Sequence, residues 1–328
     1  MRAHFVFGVR GFSIETDARR LLLAHPFLWR IFIRRLIELK QYHLKMFIFK
    51  RTSNRNLDKM NESNHVLTIK TVQIQPIRNV IAALKETLTD ATITFTKHGL
   101  KIINFDNSHT ILVNVELHAK NFEFYHCEPD KIIVCVNTQQ LSKVISSMSN
   151  DDTLTIYIDR VSYNGGIVTD LGFQYINGSI KQSYDHKLRL MNTDVDEFGF
   201  PEKLDYPTII RMPTTDFQKI VRDMNALSGR MEIKSVGSEL VFSSEGAFAK
   251  CRVSRSESDN NLDFTKMSDA SVVIQGEFSL KSLSHVTKCT PLCTHLELQI
   301  DNRFPLMVKY DVASLGHIQL CLAQLPPV

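Results

Sequence analysis

From Val66 onward the chain repeats itself. Arg78-Asn79-Val80 is answered by Lys219-Ile220-Val221 at an offset of 141, and Leu100 by Leu240 at 140. Leu141-Ser142-Lys143-Val144 is answered by Leu283-Ser284-His285-Val286 at 142. A steady offset at three separated sites marks an internal duplication. No other feature constrains the fold as tightly, because both halves must bury one apolar pattern and then fit each other.

The pattern within each half is mixed. In the first, residues 66–72 alternate as a strand, and Pro76 opens a helical stretch, 77–88, with Ile77, Val80, Ile81 and Leu84 at helical spacing. Strands are expected at 91–96, 100–105, 110–117 and 132–136, a second helix at 139–148, and strands at 154–158, 162–169 and 173–180. Asn164-Gly165-Gly166 is a hairpin signal in that last group. The second half repeats the order, with strands at 208–212, 231–234, 240–244 and 247–254, helices at 215–224 and 279–286, a strand at 271–275 between the helices, and closing strands at 296–300, 306–312 and 318–323. Each half reads as two helices laid on a mainly antiparallel sheet, an α+β arrangement.

The net charge of +4 averages two unlike regions. Residues 1–59 hold thirteen basic residues against four acids, whereas 60–328 hold 26 basic against 31 acidic. The basic, apolar-clustered 1–59 admits a targeting or membrane-surface reading, but its apolar runs are far short of the ~20 residues that span a bilayer. The preferred expectation is an extension outside the fold, disordered or non-native, with Met46 and Met60 as later starts. None of the six cysteines forms a Cys-x-x-Cys pair, and Pro291 separates Cys289 from Cys293, so ordinary thiols in a reducing compartment are expected.

Between the halves lies Leu-Met-Asn-Thr-Asp-Val-Asp-Glu-Phe-Gly-Phe-Pro-Glu, residues 190–202. This linker is acidic and non-periodic, yet carries Phe198 and Phe200. Aromatics with no regular core to enter suggest a docking strip, or else pins that hold the linker to the body.

From Val66 to Ala323 the sequence resembles the proliferating cell nuclear antigen family of DNA sliding clamps. The resemblance rests on Phe105-Asp106-Asn107-Ser108-His109, the linker, Arg222-Asp223-Met224, Thr287-Lys288-Cys289-Thr290-Pro291-Leu292 and Gly316-His317-Ile318. It implies a duplicated clamp fold with domains at 60–188 and 207–328, joined by a connecting loop at 189–206. It also implies a homotrimeric ring that encircles duplex DNA and tethers DNA polymerase, the clamp loader and other replication and repair proteins. The implied location is the nucleus, or the replication site of a large DNA virus. No catalysis, cofactor or metal is implied.

Three sets of residues follow from the resemblance. The DNA-facing lumen takes Arg78, Lys85, Lys143, Lys219, Arg222, Lys281 and Lys288, with Asn79 and Ser146 where the family has further lysines. Arg78 and Lys85, like Lys281 and Lys288, stand seven apart and so share a helix face. A sliding ring needs such charge, since it must attract phosphate without reading bases. The groove for a partner motif with a glutamine, an aliphatic residue and paired aromatics takes Phe105, His109, Thr110, Leu112, Phe198, Gly199, Phe200, Pro305 and Ala323. Here Cys321 replaces a family tyrosine, Gln324 replaces a proline, and Pro326-Pro327-Val328 stands where the family has an acidic tail. The subunit seam takes strands within 180–188 and 247–255.

Two other readings compete. Asp194, Asp196 and Glu197 could bind a metal, or His109 beside Asp106 could act as acid and base. The chain, however, has no P-loop, Gly-x-Ser-x-Gly or His-Glu-x-x-His motif, and a linker is a poor preorganised site. A non-encircling scaffold that binds replication partners through the groove is the second. Sequence-specific DNA recognition is disfavoured, as neither a recognition-helix motif nor a zinc site is present.

Overall fold

Strands and helices recur in the order that the offsets require. In the first half, β1 (His65–Thr71) leads into α1 (Ile74–Thr87), followed by β2 (Asp90–Thr96), β3 (Gly99–Phe105), β4 (Ile111–His118) and β5 (Phe124–Cys127). Then β6 (Lys131–Asn137) leads into α2 (Thr138–Ser146) and β7 (Asp152–Asp159). The hairpin β8 and β9 (Tyr163–Asn164, Ile167–Val168) precedes β10 (Asp170–Asn177) and β11 (Gln182–Arg189). The second half runs β12 (Thr208–Pro213), α3 (Thr214–Asn225), β13 (Arg230–Val236), β14 (Glu239–Glu245), β15 (Lys250–Ser256) and β16 (Asp263–Lys266). It continues with β17 (Val273–Ser279), α4 (Leu280–Val286), a 3-10 segment (Thr287–Leu292), β18 (His295–Ile300), β19 (Leu306–Val312) and β20 (Gly316–Leu322).

This computed structural model describes residues 64–177, 182–191, 199–200, 204–257, 261–267 and 272–326. The extension at 1–59, Phe198 and the linker acids Asp194, Asp196 and Glu197 lie outside the described residues.

Several boundaries differ from expectation. Helix α1 starts at Ile74, so Pro76 sits inside its first turn, where the missing N–H has no intrahelical partner to lose. The expected strand at 162–169 is broken by Gly165 and Gly166, whose φ of 58° and 96° fold a tight hairpin. The strand expected from 247 begins at Lys250, because Gly246 N–H closes a turn on the Ala249 carbonyl at 2.9 Å. Strands β5 and β16, four residues each, were not expected: Phe-Tyr-His-Cys and Asp-Phe-Thr-Lys are too short to show alternation.

Helix faces and caps repeat with the duplication. Ile77, Val80, Ile81 and Leu84 of α1 are buried, as are Phe217, Ile220, Val221 and Met224 of α3, each 140 residues later. Both α2 and α4 carry a side-chain cap. Asn137 Oδ1 accepts from Gln140 N–H at 3.1 Å, and Ser279 Oγ accepts from Ser282 N–H at 3.3 Å.

The sheets join the halves. A nine-stranded sheet runs β16-β12-β18-β19-β20-β4-β3-β2-β6, flanked by a five-stranded sheet, β11-β10-β7-β1-β5, and a four-stranded one, β15-β14-β13-β17. The halves meet where β20 pairs antiparallel with β4, with Leu320 opposite Val113 and Ile318 opposite Val115. These four side chains are fully buried beneath the helices. The helical layer crosses the same boundary: Asn79 Nδ2 donates to the Pro291 carbonyl at 2.8 Å, and His285 Nδ1 to the Glu86 carbonyl at 2.7 Å.

Gly316 allows the strands of this junction to approach. A Cβ there would lie 1.9 Å from the Glu116 carbonyl oxygen, and neither backbone can yield without breaking the ladder. Gly316→Ala is expected to lower stability by about 1–3 kcal/mol in urea denaturation. Gly229→Ala, at a position with open space around it, should not lower it.

Candidate functional site

The outward face of the nine-stranded sheet is polar over much of its width. Lys101 Nζ, for example, sits 2.7 Å from Glu116 Oε1 on the neighbouring strand. One row of residues breaks this pattern. Phe105 on β3 stands opposite Leu112 on β4, Leu112 opposite Cys321 on β20, and Cys321 opposite Met307 on β19. Four apolar side chains thus lie side by side across four strands on the face away from the helices. Tyr206 packs on them, and Leu112, Tyr206, Met307 and Cys321 form a buried cluster separate from the main core. Ile103, Phe105, Phe200, Leu204, Ile209 and Phe304 surround it, half-buried. The result is a second apolar cluster, bordered by the end of the linker.

One side of the cluster is the loop from Asp301 to Pro305. The Tyr206 hydroxyl donates to the Pro305 carbonyl at 2.9 Å, and its ring meets Phe304 edge-on with centroids 5.7 Å apart. Arg303 lies over the Phe304 ring at 5.1 Å and also donates to buried Asp301 through Nε and Nη2 at 3.2 and 3.1 Å. The Arg303 side chain is the main reason the Asp301 carboxyl is held below its usual pKa, against the opposing effect of burial. Gln324 secures the loop from the other side, donating to the Asp301 and Phe304 carbonyls at 3.1 Å each. A proline at this position would lack the donor for those bonds.

The opposite end is the turn between β3 and β4, organised by Asp106. Its carboxylate accepts from the backbone N–H groups of Thr110 and Ile111, at 2.7 Å each, and from that of Ser108 at 3.3 Å. It also accepts from the Ser108 hydroxyl. Burial alone would raise the Asp106 pKa, but these donors outweigh it and the pKa is lowered. His109 completes the turn with a φ of 53°, a left-handed conformation that histidine tolerates better than most residues, and its ring stands 5.5 Å from that of Phe105. With five donors already bound in the turn, the Thr110 hydroxyl at 3.4 Å included, Asp106 serves to hold the turn.

Of the expected groove residues, the structure brings Phe105, Leu112 and Phe200 into the cluster. Pro305 contributes its carbonyl to Tyr206. Thr110 and Ala323 meet through the Ala323 N–H and the Thr110 carbonyl at 3.2 Å, and Gly199 is exposed. Phe200 is half-buried against the cluster, so it pins the linker and leaves part of its ring at the surface. Tyr206, Met307, Phe304, Ile103, Leu204 and Ile209 were not anticipated. Strand parity is the signal for two of them: Ile103 falls on the same face of β3 as Phe105, and Ile209 faces away from the buried Ile210. Cys321 is buried in the cluster with Sγ 3.5 Å from Met307 Sδ, and burial pushes its thiol pKa up to about 12.

The expected basic residues all fall on the helical layer, on the opposite side of the sheet. Lys143, Lys219, Lys281 and Lys288 are exposed and make no ion pair among the described residues. Arg222 is exposed, 3.3 Å from Asp223, and Lys85 is half-buried, 4.0 Å from Glu86. Arg78 is half-buried and turned to the loop at 148–150, where it donates to the Met148 carbonyl and, at 3.3 Å, to Asn150 Oδ1. The four helices and the 3-10 segment carry seven basic and three acidic residues, whereas the rest of 60–328 carries 19 basic and 28 acidic.

Two family models cover most of the chain. The one described as proliferating cell nuclear antigen, N-terminal domain, matches residues 66–197, and the one described as proliferating cell nuclear antigen, C-terminal domain, matches residues 199–325.

The Asp106 turn gives a pH signature. Its folded pKa lies below the unfolded value of about 3.9, so its contribution is complete above that value and is lost as pH falls through the folded pKa. Asp106→Asn should therefore lower stability at pH 7 and flatten the acid limb of a stability–pH profile recorded by urea denaturation. Tyr206→Phe, which strands the Pro305 carbonyl, should cost about 1 kcal/mol in the same assay.

Proposed function

Because the chain belongs to the proliferating cell nuclear antigen family of DNA sliding clamps, we propose that three copies close head to tail into a ring around duplex DNA. In this reading the ring tethers a DNA polymerase, a clamp loader and other replication and repair proteins, with no catalysis of its own. It works in the nucleus or at the replication site of a large DNA virus.

The observation that carries this reading is a junction made once and left open once. The five strands β16-β12-β18-β19-β20 recur in the first half as β5-β1-β7-β10-β11, and the four strands β4-β3-β2-β6 recur in the second as β15-β14-β13-β17. One five and one four are joined in the chain through β20 and β4. The other five and four end at β11 and β15, both edge strands. Pairing β11 of one copy with β15 of the next repeats the internal junction and removes both open edges. Tyr184 on β11 and Phe248 before β15 are large apolar side chains that this pairing would cover; Phe248 is 77% exposed.

The charge distribution supports DNA in the lumen. Within a body that is acidic elsewhere, basic residues gather on the helices, suiting attraction to phosphates without base readout. On the outer face, the half-buried apolar side chains around Leu112 and Met307 suit a short motif that docks an aliphatic residue and aromatics.

Light scattering on the full chain should give three times the 37.6 kDa chain mass at micromolar concentration. A monomer at that concentration would leave the non-encircling scaffold as the better reading. Lys219→Ala or Lys281→Ala should reduce by about one the slope of log affinity for DNA against log salt. Phe200→Ala should weaken a peptide with the glutamine–aliphatic–aromatic motif roughly tenfold in calorimetry, while the mass in solution stays the same.

A further inference from the structure

The duplication specifies which residues face each other across the open edges. Moving outward through the first half, Ile69 of β1 pairs with Ile156, Ile156 with Phe173, and Phe173 with His186 of β11. The same path in the second half is Ile210 to Leu298 to Val308 to Leu320 of β20. His186 is therefore the counterpart of Leu320, and Asp185 that of Gln319. An independent pair of bonds agrees. Met191 N–H reaches the Cys135 carbonyl at 3.0 Å, and Leu325 N–H reaches the Glu277 carbonyl at 2.7 Å, a shift of 134 that also relates Asp185 to Gln319. On the other edge, Leu100 pairs with Leu117 and its counterpart Leu240 with Arg255, so Arg252 is the counterpart of Asn114.

Within the chain, Asn114 and Gln319 stand directly opposite, and Asn114 Nδ2 donates to Gln319 Oε1 at 3.1 Å. We propose that the same position between copies is an ion pair, Arg252 of one copy with Asp185 of the next, and that it fixes the register of the seam. This rests on the ring reading above. Arg252 is exposed and has no ion pair among the described residues. Asp185 is exposed and held in place by the Tyr157 hydroxyl, which donates to it at 2.6 Å. The next outward-facing pair would be Lys250 and Lys187, like charges that each copy neutralises in advance: Lys250 by Glu245 at 2.6 Å and Lys187 by Asp159 at 2.7 Å. On the helix side, Cys251 would face His186. A register two residues off would place Arg252 opposite Lys187, or opposite Ser183 with Asp185 facing Lys250, whose charge Glu245 already meets.

The test uses the full chain in analytical ultracentrifugation. Arg252→Glu and Asp185→Arg should each raise the concentration at which the trimer dissociates by about tenfold or more, since each places like charges face to face. The double variant, with the charges exchanged, should recover most of the loss. His186→Cys gives a reading independent of charge. Under oxidation it should bond to the native Cys251 of the adjacent copy and produce covalent dimers and trimers on a non-reducing gel, which Cys251→Ser abolishes. A wild-type trimer whose dissociation is unmoved by either reversal, or that the exchange fails to rescue, or that His186→Cys does not cross-link, would overturn the register while leaving the ring intact. A wild-type monomer would instead remove the ring reading on which this inference depends.

Discussion

Pairing of β20 with β4 is the contact from which the rest of the architecture follows. It fuses five strands of one half to four of the other, buries Val113, Val115, Ile318 and Leu320 beneath the helices, and brings α1 against α4 and the 3-10 segment. A backbone ladder of this kind demands close approach, which Gly316 permits and a side chain would prevent. Because the chain is a duplication, making this contact once leaves its counterpart unmade at the two ends. One set of interactions thereby accounts for the internal joint and for the two edges that need a partner.

The same contact places the groove. Phe105, Leu112, Cys321 and Met307 come from both halves, and only the junction sets them in one row. At the open edges the counterparts of Leu112 and Cys321 are Lys250 and Lys187, so a repeat of the joint between copies would carry charge where the internal joint carries apolar surface. Two positions with the same backbone thus differ in chemistry, and among the described residues the apolar row forms at the internal joint alone. Its ends are set by short-range bonds: Asp106 shapes the turn at one end, and Arg303 and Gln324 hold the 301–305 loop at the other.

Most elements were legible because strand alternation and helix spacing are local signals. Those missed, β5 and β16, are four residues long and gain their identity from the neighbours they pair with, β1 and β12. Among groove residues, Phe105 and Leu112 could be assigned by resemblance. Tyr206 and Phe304 could not, since neither has a periodic context, and their roles depend on a hydroxyl reaching Pro305 and on Arg303 lying over a ring. Arg78 shows the opposite case. Its spacing from Lys85 is correct for a shared helix face, yet its guanidinium is bound to the loop at 148–150, a contact 70 residues away in sequence that no periodicity reveals.

By itself, the sequence determined the duplication, the two-helix, multistrand plan of each half and the gathering of basic residues on helices in an acidic body. These are carried by periodicity, offset and composition, which survive without knowledge of contacts. Only the tertiary structure decided which edges pair within the chain and which stay open, where the apolar row emerges, and which cations remain free. Those outcomes depend on strand register between residues about 200 apart, where a single step would turn every side chain to the other face.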